Sequence, residues 1–223
     1  MYKVITQKDE MGNIQSSLDY FLKFNLPKDA NILDIGCNYG SLNYNLYKLG
    51  YRNIFGIEID NKAISQGKIF YPEIAHNLYV QTSSNIPFED NTFDVVLMFD
   101  VIEHIPSVEI FLKNQVHRVL KPKGTFIFQT PNKNINIPWE IINNKSFTKW
   151  KEYHCSLQTP ISLKKMLVKS GFSNICIERG NILTHYNKNK VYKKIGLIGV
   201  FILHLFQRVP LIISSNLWGN AKK

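Results

Sequence analysis

The run Asn31-Ile-Leu-Asp-Ile-Gly-Cys-Asn-Tyr-Gly40 puts one carboxylate, Asp34, two residues ahead of a glycine turn, and a second, Glu58, follows 24 positions later. An apolar run that enters such a turn and then a helix lets backbone approach a ligand closely, and two kinds of cofactor use it. A dinucleotide such as NAD rests its pyrophosphate on the helix N-terminus, whose partial positive charge favours anions. Asp34 would repel that phosphate. A nucleoside carrying an ammonium and a sulfonium would instead be attracted by it. Glu58, at the end of the next apolar run, can accept hydrogen bonds from both hydroxyls of a ribose.

The segment 131–158 offers a second kind of chemistry. It is too long for a simple connection and reads as an irregular, substrate-side insertion. His154 is its only histidine, and an imidazole titrating near neutrality is the natural group to take a proton from a hydroxyl acceptor, although such a residue equally serves packing. Trp139 and Trp150 either cover a ligand or close a satellite core. Asp100 reads as capping a turn, and Glu103 and His104 as hydrogen-bonded at a helix start. The cysteines Cys37, Cys155 and Cys176 are an odd number without metal-ligand spacing, so neither a disulfide framework nor a metal site is expected, and a reducing compartment is.

Short β-branched runs alternate with helical patterns through the first 130 residues, the mark of a parallel sheet with crossover helices. Strands are expected at 31–35, 54–59, 78–81, 93–99 and 125–129, then at 175–178 and 216–221. Val108, Leu112, Val116 and Val119 recur at three- and four-residue steps and define a buried helical face, with Lys113, Gln115 and His117 outward. Thr159 before Pro160 reads as a helix cap, Leu163, Met166 and Leu167 as that helix's apolar face, and Gly171 as its stop. At 223 residues and 44% hydrophobic composition, one domain over 1–223 is expected: a cofactor half at 30–130, the insertion, and closing elements at 159–223.

This order resembles the class I S-adenosylmethionine-dependent methyltransferases of the small-molecule branch, type 11/23-like. The family's turn reads acidic-x-Gly-x-Gly-x-Gly, and Asn38 stands at its middle glycine. The resemblance continues in Asn85-Ile-Pro-Phe-Glu-Asp-Asn-Thr-Phe-Asp-Val-Val96, Asp100-Val-Ile-Glu-His-Ile105, Arg118-Val-Leu-Lys-Pro-Lys-Gly124 and Gln129-Thr-Pro-Asn132. It implies a Rossmann-like, doubly wound α/β fold with a mostly parallel seven-stranded sheet and helices on both faces. It also implies S-adenosylmethionine held by Asp34, Gly36, Cys37 and Gly40 at the methionyl part, Glu58 at the ribose, Ile59 and Ser83 at the adenine, and Phe99 at the fourth strand's end. Thr82 stands where many relatives carry an acid facing the adenine amine.

Lys plus Arg exceed Asp plus Glu by 27 to 17, a formal charge of +10 that favours anionic partners. No Asn-Pro-Pro-Tyr-like segment follows Phe99, which argues against nucleic acid, and the resemblance points to a small-molecule or glycan acceptor methylated on oxygen. Residues 1–10 lack the apolar run of a secretory signal, so a cytoplasmic location is expected. The apolar stretch 195–213 is interrupted by His204, Gln207, Arg208 and Pro210 and reads as not spanning a membrane. Flanked by Lys190, Lys193 and Lys194, the helix at 191–206 is expected to pack beside the acceptor pocket, with peripheral membrane contact through 190–213 as the alternative. The competing functions are an NAD-binding oxidoreductase and a non-catalytic methyltransferase-like module at a membrane surface.

Overall fold

The computed structural model describes residues 14–180 and 185–223. The stretch 1–10 read above lies outside the described residues, as do the side chains of Tyr153, Lys190 and Lys194. Seven strands, β1 (Ile32–Ile35), β2 (Ile54–Glu58), β3 (Leu78–Val80), β4 (Phe93–Phe99), β5 (Leu120–Pro131), β6 (Ser173–Arg179) and β7 (Asn216–Lys222), form one sheet of order β3-β2-β1-β4-β5-β7-β6. β1 to β5 pair in parallel, and β7 runs antiparallel to both β5 and β6. Strand order reverses between β1 and β4, and such a switch point opens a crevice at the carboxyl ends of the strands.

Period-two alternation on the central strands explains the two layers. Leu33, Ile35, Val96 and Met98 face one core, against α4 (108–119) and α7 (Pro160–Lys169). Ile32, Val95 and Leu97 face the other, against α1 (Ile14–Leu22) and α2 (Ser41–Lys48). α3 (Asn61–Phe70) follows β2 and is capped by the side chain of Asp60, which accepts from Lys62 N. The doubly wound expectation therefore holds. The strands fall within two residues of their expected positions except β5, which pairs from Leu120, opposite Phe93, to Pro131, opposite Asn216.

Three local expectations are corrected. First, the segment 131–158 is not irregular: it forms α5 (Lys133–Asn144) and α6 (Trp150–Tyr153). Pro138, Asn and Lys argue against a helix on propensity alone, but Asn132 caps α5 by accepting from Asn134 N and anchors it by donating to the carbonyls of Leu211, Ile212 and Ser214. Second, α4 buries Val108, Leu112, Val116 and Val119 as expected, yet Gln115 and His117 are half-buried rather than fully outward. Residues 112–116 form a wide π turn that carries the following side chains round. Gln115 Oε1 accepts from Ile86 N, and the His117 ring meets Phe172.

Third, α8 (His185–Phe206) is broken at Ile195 and Gly196, the latter at φ +64°. It leaves Leu197 and Phe201 77% and 65% exposed rather than packed beside the pocket. The closing strand that follows it, β7, is where the sequence puts it. Among the described residues no helix is long and apolar enough to cross a membrane.

Candidate functional site

Beyond β1 the chain turns sharply. Gly36 N and Cys37 N both donate to Ile57 O, at 2.8 and 3.1 Å, which ties the turn to β2. Gly36, Asn38 and Gly40 adopt positive φ of 75°, 51° and 82°. A Cβ on Gly36 would collide with Val101, so only glycine fits there. Asn38 holds the left-handed conformation that asparagine tolerates better than most residues, and the turn survives without its middle glycine.

Glu58 closes this turn from β2. Its Oε2 accepts from Asn38 N at 3.1 Å, and its Oε1 accepts from Ile59 N at 2.7 Å and Asp60 N at 3.2 Å. The carboxylate is thus a backbone staple as well as a ribose candidate, a role the sequence reading did not anticipate.

A cavity of about 890 Å³ opens at the switch point. Asp34, Gly36, Cys37, Glu58, Ile59, Ser83 and Phe99, all singled out from the sequence, line it together with Thr82. Gly40 is not on the wall: it precedes α2 as its cap, and a Cβ there would press on Leu78 at 2.9 Å. His154 does not line the cavity either, whereas His104 does.

The titratable groups on the wall are mostly acids. Asp34 is 3% exposed, and burial, then the neighbouring Glu58 charge, push its carboxyl up to about 8. Burial, then Asp34 and Glu58, also raise the Cys37 thiol. Asp100 is a third acid on the same wall; no Lys or Arg lines it among the described residues, and His104 is the only basic group. Burying a carboxylate without a cation is costly, so this cavity favours a positively charged ligand and opposes a pyrophosphate. The residues fit an ammonium- and sulfonium-bearing nucleoside and do not fit NAD.

Asp100 and His104, on the same cavity wall, belong to a second set of polar groups. Asp100, held at φ +55°, accepts from Gln129 Nε2 at 2.8 Å, and its backbone N–H donates to Gln129 Oε1 at 3.0 Å. Its side chain is open to the cavity, but desolvation by the surrounding protein raises its pKa, opposed by the Gln129 bond and by His104 and His154. Glu103, 1% exposed, accepts from Thr130 Oγ1 at 2.9 Å, and burial, then Asp100, push it up to about 7. His104 Nε2 lies 3.8 Å from Glu103 Oε1, and its ring centroid is 5.2 Å from that of His154.

Burial, then His104, lower the pKa of His154, partly offset by Glu140 and Asp100. Its Nδ1 is buried without a hydrogen-bond partner, 4.0 Å from Glu140 Oε1. Glu103 and His104, read from sequence as merely structural, therefore stand with His154 beside the cavity. An acid and a histidine placed just after β4, at the switch point, were the available signal. Trp139 is exposed and Trp150 donates to Phe147 O; neither lines the cavity.

Residues 7–177 match the family described as a methyltransferase domain. An uncharacterised protein of Methanocaldococcus jannaschii is 34% identical over 142 residues, covering 64% of this chain and 55% of that protein. A ubiquinone biosynthesis O-methyltransferase of Aliivibrio fischeri is 28% identical over 164 residues, covering 70% of this chain and 68% of that protein. The matched stretch spans about half the length of several of these curated relatives. A solved S-adenosylmethionine-dependent methyltransferase from Archaeoglobus fulgidus shares the fold at a TM-score of 0.65 and 18% identity, covering 95% of each chain.

Proposed function

The chain belongs to the class I S-adenosylmethionine-dependent methyltransferase family, and we propose that it methylates an oxygen of a small-molecule or glycan acceptor. The observation that carries this reading is that one cavity is lined both by the acidic turn and by Asp100 and His104, the latter beside Glu103 and His154. When bound, S-adenosylmethionine supplies an electrophilic methyl group. Asp34 and the Gly36–Cys37 backbone hold the methionyl part, Glu58 the ribose hydroxyls, and Ile59, Ser83 and Phe99 the remaining surface. What remains for the protein is to align the acceptor and relieve its hydroxyl of a proton. We assign His154 to activating that hydroxyl, through an imidazole lone pair beside the acceptor end. Relatives named as O-methyltransferases support an oxygen acceptor.

The exposed apolar face of α8 supports a further element of the reading. Leu197, Ile198 and Phe201 are uncovered and Lys193 is nearby, a combination suited to an anionic membrane surface contacted through 190–213. The catalytic assignment is tested by incubating the protein with methyl-labelled cofactor and a panel of hydroxyl, amine and sugar acceptors, and locating the label. Methyl on oxygen is expected, and His154→Ala should lower turnover by ~10²–10⁴-fold while sparing cofactor affinity. Label on nitrogen or carbon would overturn the oxygen acceptor; near-normal turnover of the variant at saturating acceptor would remove His154.

A further inference from the structure

One carboxylate oxygen of Glu103 and one imidazole nitrogen each of His104 and His154 lie within 4.8 Å of one another. They come from two distant parts of the chain, the turn Ile102–His104 after β4 and the end of α6. Two further acids flank them: Asp100 on the cavity wall and Glu140 on α5, the latter 4.0 Å from His154 Nδ1. Among the described residues no Lys or Arg pairs with Asp100, Glu103 or Glu140. Acids gathered around two imidazoles without a balancing cation make a centre of negative potential.

The Nδ1 of His154 is an independent sign that the protein alone does not complete this cluster, because it is buried with no hydrogen-bond partner. Donors around a transition-metal dication bound at ~2.1 Å stand roughly 3–4 Å apart, so side-chain rotations of about 1 Å would gather these three. Two imidazoles and one carboxylate, with other positions left open, suit such an ion better than Mg²⁺ or Ca²⁺, which prefer all-oxygen shells.

We propose that Glu103, His104 and His154 bind a divalent first-row transition-metal ion that takes up the acceptor's oxygen at the mouth of the cofactor cavity. The inference rests on the oxygen acceptor proposed above and deepens the role of His154. An acceptor hydroxyl on the ion becomes more acidic and releases its proton to solvent, leaving the oxygen in place with a lone pair toward the cavity. The site favours acceptors with a phenol or with two adjacent oxygens able to chelate.

The test is titration of metal-stripped protein with Co²⁺, without cofactor or acceptor, read by calorimetry and visible absorption. One equivalent should bind with the absorption of a four- or five-coordinate ion. Glu103→Gln, His104→Ala and His154→Ala should each weaken binding at least ~10–100-fold, whereas His76→Gln, on an exposed histidine, should not. A readout independent of variant folding is Cu²⁺ electron paramagnetic resonance of the unaltered protein, expected to show coupling to two nitrogens. Absence of stoichiometric binding, binding that all three variants retain, or a spectrum without nitrogen coupling would overturn the site. Because the metal is read without methyl transfer, such a result leaves the oxygen-acceptor reading standing; label found on nitrogen would defeat that reading alone.

Discussion

The cofactor turn and the proposed acceptor-side cluster each hold one buried acid, Asp34 in β1 and Glu103 just beyond β4, yet they are assembled in different ways. The turn is made mostly of backbone: Gly36 and Cys37 donate to Ile57 O, and Glu58 accepts from three successive or neighbouring amides. The cluster is made of side chains drawn from β4's end, β5, α5 and α6, held through Gln129 and Thr130. A backbone site tolerates changes of side chain so long as φ and ψ survive, as Asn38 demonstrates at +51°. A side-chain site changes its chemistry with every substitution, which suits the proposed role of the cluster in meeting the acceptor.

The largest effect is expected at Glu58, which staples the backbone of the turn and is also its ribose candidate. Glu58→Ala should weaken S-adenosylmethionine binding by ~1.5–3 kcal/mol, the range for hydrogen bonds to a charged group. Because the same oxygens hold Asn38, Ile59 and Asp60, the variant should also unfold at lower temperature. Calorimetry and thermal melting measure the two effects, and unchanged affinity in a folded variant would take Glu58 out of the site.

The difference in assembly also explains what could be read in advance. Asp34, Gly36 and Cys37 are neighbours in the chain, and Glu58 follows one crossover later, so their spacing already encodes the turn. The strands were legible for the same reason, since alternation at 32–35 and 93–99 needs no distant partner. The pairing of Glu103 and His104 with His154 joins residues about 50 apart in sequence, and no local period records it. α5 was missed because its stability comes from Asn132 reaching the carbonyls of Leu211 to Ser214. The helix at 191–206 is expected to pack, but α8 is broken at Gly196 and its apolar face lies exposed.

The smallest effect is expected at that face. Phe201→Ser and Leu205→Ser should change folding stability by no more than about 0.5 kcal/mol, as for ordinary surface positions, while reducing binding to anionic vesicles. A large drop in melting temperature would show that the helix packs after all.

If the buried Asp34 selects a cationic nucleoside at the turn, binding of that ligand releases a proton. Asp34, pushed up to about 8, is mostly protonated at pH 7 in the free protein. A cationic ligand favours its charged form, so binding must expel the proton. Affinity should rise with pH toward 8 and fall by at most about tenfold per unit below it. Calorimetry of S-adenosylmethionine, S-adenosylhomocysteine and NAD at pH 7, in two buffers of different ionisation enthalpy, measures this. The first two should bind with release of as much as one proton, release abolished by Asp34→Asn, and NAD should not bind. Binding of NAD alone, or S-adenosylmethionine binding with proton uptake, would contradict it.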